Sequence, residues 1–342
     1  MTPPDPIASP DPRIVIAGAG SIGCFVGGLL AAAGRQVTLL ARQRVMDEIT
    51  ENGLVLTDFA GLSCRVPATA LTLTDDPGCL STADVILVTV KSGATGDMAA
   101  LIGANAGASA PVVSLQNGLD GFEILASALP GRDVRAGMVA FNVVPKGAGC
   151  FHRAISGDIL IGSGPAPLTD LLSAPGLVVS ETAEITAVQW GKLLLNLNNA
   201  LNALSGLTIL EQMMQRDWRS LMADQMAEAL RVLRAAHIPV TSTTPVPPGL
   251  IPWVLRLPTP LFRRIAAQML TVDPSARASM SYDLTQNRPT EIASLQGRIS
   301  ALGTQTGVAT PICDQVARLV REAETRQQGA PGLAAKAVRG GF

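Results

Sequence analysis

Largely apolar runs alternate with segments of helical periodicity along the first half of the chain. Residues 84–90 and 111–115 are such runs, typical of parallel strands buried on both faces of a sheet. Further strand candidates lie at residues 13–17, 36–41, 134–144 and 158–162, and helix candidates lie at 21–33 and 122–129. This alternation predicts an α/β fold with a doubly wound, Rossmann-type sheet.

The pattern changes near residue 184, after which apolar residues recur only at helical spacing. Helices are predicted over residues 187–204, 216–236, 290–302 and 311–325. Residues 241–260 contain six prolines and are predicted to form a loop or a short irregular connection. The second half of the chain is therefore predicted to be an all-α domain.

Composition at the two ends completes the predicted domain organisation. The first dozen residues carry five prolines and two acids, unlike a signal peptide, and residues from 327 onward are rich in Gly and Ala. We expect a disordered tail (1–12), a Rossmann-type domain (13–184), a helical catalytic domain (185–326) and a flexible tail (327–342).

A glycine-rich loop joins the first predicted strand to the first predicted helix. Gly18, Gly20 and Gly23 have the spacing G-x-G-x-x-G, with Ala19, Ser21 and Ile22 between them. In such a loop the first glycine permits a tight turn, the second lets the backbone approach a pyrophosphate, and the third packs helix against strand. The complete strand–helix–strand context makes this a dinucleotide-binding signature.

The residues after the second predicted strand indicate which dinucleotide binds. An NAD-specific domain usually has Asp or Glu there, to hold the ribose 2′-hydroxyl. This chain has Arg42-Gln43-Arg44 and no acid before Asp47. Two guanidinium groups suit a 2′-phosphate and favour NADPH/NADP+, although a solvated basic loop is the alternative interpretation.

Composition and charge exclude several other classes of function. The chain has 47% hydrophobic and 15% charged residues with a net charge of -1, which gives no electrostatic basis for binding nucleic acid or an anionic membrane. Residues 14–34 contain no charged residue and are as long as a membrane span, but six glycines are scattered through them. We therefore expect a soluble protein.

The cysteines and histidines indicate the compartment and the kind of chemistry. Five widely spaced cysteines without a C-x-x-C pair argue against a disulfide framework and for a reducing cytoplasm. The chain has only two histidines, and their spacing is unlike that of metal ligands. No catalytic metal is expected.

Two groups of polar residues are candidates for chemistry. Lys91 and Asn117 each follow an apolar strand, at the end of a parallel sheet where ligands bind. In the helical half, Lys192 and Asn196 are four residues apart and share a helix face, with Asn199 about 20° and Asn202 about 80° from Lys192. This polar face favours either a pocket for a polar ligand or hydrogen bonds between helices.

A third group spans Ser279 and Glu291, for which helix capping is the alternative interpretation.

Together and in this order, the motifs resemble the ketopantoate reductase (2-dehydropantoate 2-reductase) family. The resemblance covers residues 13–324 and rests on five segments. These segments are Gly18-Ala-Gly-Ser-Ile-Gly23, Val88-Thr-Val-Lys91, Gln116-Asn117-Gly118, Trp190-Gly-Lys192 with Asn196, and Ser279-Met280 through Arg288-Pro-Thr-Glu291.

The resemblance implies a Rossmann-type domain joined to an all-helical domain, with the active site between them. It implies NADPH-dependent reduction of 2-dehydropantoate to pantoate, with Lys192 as the proton donor and Asn196 and Ser279 as substrate-holding residues. The resemblance also implies roles for four further residues. Glu291 matches the acid near the cofactor ribose and active site, Lys91 and Asn117 match positions lining the cleft, and Arg42 matches the 2′-phosphate contact.

Two positions depart from the family pattern. The family repeats Asn eight residues after the lysine, where this chain has Ala200, so Asn198, Asn199 and Asn202 all stay open as its replacement. Ala293 stands where the family tends to have an acid.

Two alternative functions remain: a reductase of a different small 2-oxo acid, and a catalytically silent NADPH-binding sensor. The apolar helical half also allows a homodimer.

Overall fold

The computed structural model describes residues 11–267 and 273–340. The described residues form two compact units, one before and one after the bond between Ile185 and Thr186. Residues 1–10 of the predicted disordered tail lie outside the described residues. The first unit carries all the strands described, and the second unit is helical, so the predicted fold class is confirmed.

The first unit is built on an eight-stranded sheet. Its strand order is β12-β11-β8-β7-β6-β1-β2-β5, and every neighbouring pair is parallel except β8 and β11. The strands of this sheet are β1 (Arg13–Ala17), β2 (Gln36–Leu40), β5 (Thr72–Thr74), β6 (Val85–Val88), β7 (Val112–Ser114), β8 (Val134–Val139), β11 (Ile159–Gly162) and β12 (Val179–Thr182). Strand order reverses between β1 and β6, which defines the crevice where ligands bind in such sheets.

Helices cover both faces of this sheet. They are α1 (Ser21–Ala32), α2 (Gln43–Asn52), α3 (Thr95–Asn105), α4 (Asp120–Ala128) and α5 (Thr169–Leu172). Phe25 and Leu29 of α1 belong to the apolar core of one face, and Ile102 and Leu125 belong to the core of the other. The central strands are buried on both sides, as their apolar runs predict.

A second sheet of four strands was not predicted. Its order is β4-β3-β10-β9, from β3 (Leu54–Asp58), β4 (Ser63–Val66), β9 (Asn142–Gly147) and β10 (Cys150–Ile155). Residues 134–144, predicted as one strand, divide between β8 and β9 in different sheets. Because Leu54 and Leu56 alternate with polar or half-exposed residues, these short strands bury one face only and lack the continuous apolar run of the main sheet.

The second unit consists of helices. They are α6 (Ile185–Asn196), α7 (Asn198–Ser205), α8 (Ile209–Met214), α9 (Arg216–Ala235), α10 (Ile251–Arg256), α11 (Thr259–Ile265), α12 (Ser279–Thr285), α13 (Arg298–Thr306), α14 (Pro311–Arg326) and α15 (Ala335–Arg339). The helix predicted over 187–204 is interrupted at Leu197, and a π-helical turn (Ala293–Gly297) precedes α13. In the described ranges, no helix is long and apolar enough to cross a membrane.

The loop predicted over residues 241–260 is wrong in part, because α10 and the start of α11 lie within it. Pro252 and Pro260 occupy first-turn positions, where the missing N–H removes no helical hydrogen bond. The guanidinium of Arg219, on α9, is buried and donates to the carbonyl oxygens of Leu255 (3.1 Å) and Leu257 (2.9 Å). These bonds fasten the proline-rich segment to α9.

The structure also differs from the flexible tail predicted from residue 327. Helix α15 buries Ala335 and Val338, and the N–H of Leu333 donates to the carbonyl of Leu204 at 2.9 Å. The two buried residues lie three positions apart, on one face of this short helix, a signal that the Gly- and Ala-rich composition obscured. Residues 341–342 lie outside the described residues.

Candidate active site

The glycine loop has the packing that its spacing predicts. Gly18, directly after β1, has φ = +106°, and a Cβ there would lie 2.5 Å from Cγ1 of Val90. A Cβ on Gly23 would lie 2.6 Å from the carbonyl oxygen of Gly18. The first and third glycines are therefore required by the protein's own packing.

Gly20 has no such internal reason to be glycine. It is exposed, and a Cβ there would meet only the carbonyl oxygen of Thr89, at 4.0 Å. It is the N-cap of α1, whose first turn contains no acidic residue. Because the first N–H groups of a helix, here from Ser21 onward, have no helical acceptor, this open position fits the pyrophosphate of a dinucleotide.

Polar residues follow the neighbouring strands β6 and β7 at the same edge of the sheet. Lys91 and Asn117 are both exposed there. Buried Gln116 donates from Nε2 to the carbonyl oxygen of Val90 at 2.9 Å and to Oγ1 of Thr95 at 2.7 Å. Gln116 thus fixes the segment before Lys91. The Gln-Asn-Gly motif in the sequence did not predict this role.

The two guanidinium groups after β2 differ in their surroundings. Arg44 forms an ion pair with Glu48, at 3.5 Å between Nη1 and Oε2. Arg42 is exposed at the N-cap of α2, and among the described residues it has no ion-pair partner. Arg42 is therefore the better placed of the two to receive a phosphate.

In the helical unit, Lys192 lies on α6 next to a glycine that close packing requires. A Cβ on Gly191 would collide with the carbonyl oxygen of Thr241, whose N–H donates to the carbonyl of Ala187 at 3.0 Å. The Trp190-Gly191-Lys192 motif thus lets the segment at residue 241 cross α6 one residue before the lysine.

Burial lowers the pKa of Lys192 to about 8. The residue as a whole is only partly exposed, and its ammonium group lies among protein atoms, where it loses hydration. No described residue forms an ion pair or hydrogen bond with it. An ammonium group with this pKa is able to release its proton close to neutral pH.

Asn196, one helical turn beyond Lys192, is buried to 8% exposure, and no hydrogen bond to its side chain occurs among the described residues. Asn199 follows on α7 and donates from Nδ2 to Oγ of Ser279 at 3.4 Å. Ser279 is not a helix cap, because the N-cap of α12 is Ala278. The structure thus brings Asn199 and Ser279 together, with Asn196 on the preceding turn.

The other two asparagines of this segment serve the helical packing. Asn198 and Asn202 both hydrogen-bond the buried side chain of Gln212, on α8, at 3.0–3.3 Å. Ala200 is fully buried. Of the three candidates for the missing family asparagine, Asn199 is the one that contacts Ser279.

Glu291 is partly exposed and lies between α12 and the π-helical turn, where its carbonyl oxygen accepts from the N–H of Leu295 at 3.2 Å. π-Helical turns are frequent at functional sites. In the described part of the chain, no group of three or more His, Cys, Asp or Glu side chains is placed to hold a metal ion.

A dinucleotide-binding α/β unit followed by a helical unit with a lysine of lowered pKa defines a two-domain oxidoreductase. Comparison with known proteins identifies which one. The family model described as "Ketopantoate reductase PanE/ApbA" matches residues 14–166, and the model of the C-terminal domain of the same family matches residues 184–324. The chain belongs to the ketopantoate reductase PanE/ApbA family, whose members are oxidoreductases acting on a ketone.

Individual relatives agree with this assignment over more than nine-tenths of the chain. The chain is 28% identical to a 2-dehydropantoate 2-reductase of Halobacterium salinarum, over 91% of this chain and 99% of the relative. It is similar to the crystal structure of a PanE/ApbA family ketopantoate reductase from Ralstonia eutropha JMP134, with TM-score 0.78, 29% identity, and coverage of 92% and 99%.

The same fold also occurs with a different named activity. A ternary structure of D-mandelate dehydrogenase with NADH and anilino(oxo)acetate has TM-score 0.72 and 21% identity, covering 92% of this chain and 99% of that chain. At this identity the likeness concerns the fold alone.

Proposed function

We propose that the protein reduces the ketone of 2-dehydropantoate to (R)-pantoate with NADPH, in pantothenate and coenzyme A biosynthesis. The observation that carries the proposal is Lys192, a half-buried lysine with a pKa of about 8 on the same helix face as Asn196, in a chain of the ketopantoate reductase family. A proton donor of this kind needs no metal ion to act on a ketone.

The reaction adds a hydride to the carbonyl carbon and a proton to the carbonyl oxygen. When bound, NADPH supplies the hydride. Lys192 donates an N–H to the ketone oxygen, stabilises the negative charge that grows there, and then transfers the proton. The products are the alcohol and a neutral lysine amine, which solvent protonates again.

Three polar side chains are proposed to hold the substrate. The Asn196 amide is available to a ligand, and the Asn199 amide donates to Oγ of Ser279. Since Oγ accepts that bond, the Ser279 hydroxyl hydrogen is free to be donated to an anionic oxygen of the substrate. Glu291 is proposed to act at the active site and to contact the cofactor ribose.

The cofactor is proposed to bind along the carboxyl ends of β1, β2, β6 and β7. Its pyrophosphate faces the loop from Gly18 to Gly23, with Gly20 giving the space. Arg42 receives the 2′-phosphate, which favours NADPH over NADH. Lys91 and Asn117 line the nicotinamide-proximal part of the site.

Reduction of a different small 2-oxo acid is the second candidate. Two observations favour it, the buried Ala200 at the position of the family's second asparagine and Ala293 in place of an acid. Asn199 lies one residue earlier in the helix than the family asparagine, so its amide leaves the helix about 100° away. Such a displacement changes the shape of the substrate pocket.

Steady-state oxidation of NADPH tests these functions. We expect turnover with 2-dehydropantoate that falls at least about a hundredfold in Lys192→Ala. Turnover only with other 2-oxo acids would support the second candidate. A folded wild-type protein that binds NADPH and reduces no 2-oxo acid would contradict both and indicate a cofactor sensor.

We also propose that the protein is a homodimer. Four large apolar side chains stand exposed on the segment that includes α10 and α11, namely Leu250 (55%), Trp253 (61%), Leu261 (44%) and Ile265 (46%). An apolar surface of this kind is typical of a protein interface. Light scattering of the wild type and of Trp253→Glu tests the assignment, with a monomeric wild type as the contradicting result.

A reducing cytoplasm is the proposed location. All five cysteines are free thiols, and two of them, Cys24 and Cys313, are buried. Burial raises the pKa of the Cys24 thiol to about 12, which keeps it unreactive.

A further inference from the structure

Asn202, on α7, is fully buried, and both ends of its side-chain amide form hydrogen bonds within the helical unit. Its Nδ2 donates to the carbonyl oxygen of Leu207 at 3.1 Å and to Oε1 of Gln212 at 3.0 Å. Its Oδ1 accepts from the backbone N–H of Ala278 at 2.9 Å. The last contact joins residues 76 positions apart in sequence.

Ala278 is the residue immediately before Ser279, at the start of α12. It is the N-cap of that helix and provides no side-chain cap of its own. The bond from its N–H to Asn202 therefore fixes the backbone at the point where Ser279 leaves it. Without Asn202, this buried N–H loses its acceptor, which is unfavourable enough to displace the segment.

Asn199 lies one helical turn before Asn202 on α7 and makes the second contact with the start of α12. Its amide reaches Oγ of Ser279 at 3.4 Å, at the limit of a hydrogen bond. A contact this long is lost when α12 moves by a few tenths of an ångström. The buried bond from Ala278 to Asn202 thus determines whether the partly exposed pair of Asn199 and Ser279 is formed.

We propose that Asn202 is a positioning residue for the substrate site. It holds the start of α12 against α7, so that Ser279 and Asn199 bind the 2-oxo acid as a preformed pair. The inference rests on the proposed reduction, in which Ser279 contacts the substrate. It gives a chemical role to a residue that sequence spacing places about 80° from Lys192, away from the substrate-facing side.

Asn198 offers a matched control. It shares the partner of Asn202, with its Nδ2 3.3 Å from Oε1 of Gln212 and its Oδ1 3.1 Å from Nε2 of Gln212. The structure shows no bond from Asn198 to Ala278 among the described residues. Asn198→Ala therefore disturbs the same amide network and leaves the contact with α12 intact.

The test compares Asn202→Ala with Asn198→Ala in the wild-type and Ser279→Ala backgrounds. In the wild-type background, Asn202→Ala is expected to raise KM for 2-dehydropantoate at least about tenfold and to leave the Kd for NADPH within about twofold, whereas Asn198→Ala changes KM less than about threefold. In the Ser279→Ala background, Asn202→Ala is expected to raise KM by less than about twofold, because its effect passes through Ser279.

Hydrogen exchange supplies a readout independent of turnover. The backbone amides at the start of α12 are expected to exchange faster in Asn202→Ala and at the wild-type rate in Asn198→Ala. If Asn202→Ala does not fold, Asn202→Ser removes the same bond with a smaller cavity and enters the same comparison.

The outcomes separate this proposal from the proposed function. An active wild type whose KM is unchanged in Asn202→Ala, or raised equally with and without Ser279, overturns the positioning role and leaves the reductase assignment in place. A wild type that reduces no 2-oxo acid overturns the proposed function, and the positioning role falls with it.

Discussion

The lowered pKa of Lys192 leads to a pH dependence that an ordinary lysine would not give. With a pKa of about 8, Lys192, the proposed proton donor, loses its proton in the free enzyme as the pH rises through 8. The fraction of protonated Lys192, and with it kcat/KM, is expected to fall about a hundredfold between pH 7 and pH 10. A lysine at its usual pKa near 10.4 would give a loss of less than about twofold over that range.

The pH profile of kcat is expected to break at a higher pH than that of kcat/KM. The kcat/KM profile reports the free enzyme, whereas kcat reports the complex, where the carboxylate of a 2-oxo acid adds negative charge near the ammonium group. A nearby anion favours the charged form of lysine and raises its pKa. The difference between the two breaks therefore measures how closely the carboxylate approaches Lys192.

Lys192→Arg is the control, because a guanidinium group stays protonated throughout this range. Its kcat/KM is expected to be lower than that of the wild type and flat from pH 7 to pH 10. A wild-type profile that is flat to pH 10, or an equal loss in Lys192→Arg, would refute the assignment of the break to Lys192.

The same pKa shift affects folding. Because the folded state disfavours the charged amine, Lys192 costs stability at every pH below about 8, and the cost fades as pH rises toward the unfolded value. The shift corresponds to about 3 kcal/mol as an upper value. Lys192→Met is therefore expected to unfold at a higher temperature than the wild type at pH 7 while losing activity, and a lower Tm would contradict this.

Three further results are expected. Arg42→Ala should raise KM for NADPH about tenfold and have little effect on KM for NADH. Arg44→Ala, the control, removes a group already paired with Glu48 and should change KM for either cofactor less than about threefold. Equal effects of the two variants would contradict the assignment of Arg42 to the 2′-phosphate. Gly20→Ala should weaken NADPH binding without lowering Tm, because its Cβ would meet nothing nearer than the carbonyl oxygen of Thr89 at 4.0 Å. A titration with NADPH and a thermal melt without cofactor measure the two effects, and a lowered Tm would contradict this prediction. Glu228→Ala should lower the free energy of unfolding in urea by about 2 kcal/mol, because the buried carboxylate accepts hydrogen bonds from two N–H groups at the start of α14. An unchanged urea midpoint would refute this prediction.

The glycine loop was predictable because its requirements are local. The positive φ of Gly18 and the close approach of Gly23 to Gly18 depend on residues within one strand–helix turn. The same holds for Arg42, whose place is fixed by the end of β2. Such features follow from spacing alone, since the intervening chain has few ways to connect a strand to a helix.

The roles of the asparagines after Lys192 were not predictable in this way. Angles around a helix placed Asn199 on the same face as Lys192. Asn198 and Asn202 both bond Gln212, and what distinguishes them is the bond that Asn202 accepts from the N–H of Ala278, distant in sequence. Which polar residue meets which partner is decided by how the helices pack. Helix α10 does not follow from composition either, because a proline disfavours the interior of a helix but fits its first turn, where Pro252 lies.

The carboxylate of Asp224 links three parts of the helical unit. It lies on α9 and receives Nη2 of Arg256 at one oxygen and Nη1 of Arg339 at the other, each at 2.5 Å. One acidic side chain thus joins the proline-rich segment, the long helix and the last helix of the chain. Shortening the chain at residue 326 would therefore do more than remove a tail, because it would uncover the surface under Val338 and remove one of the two guanidinium partners of Asp224, beside the segment that carries Trp253.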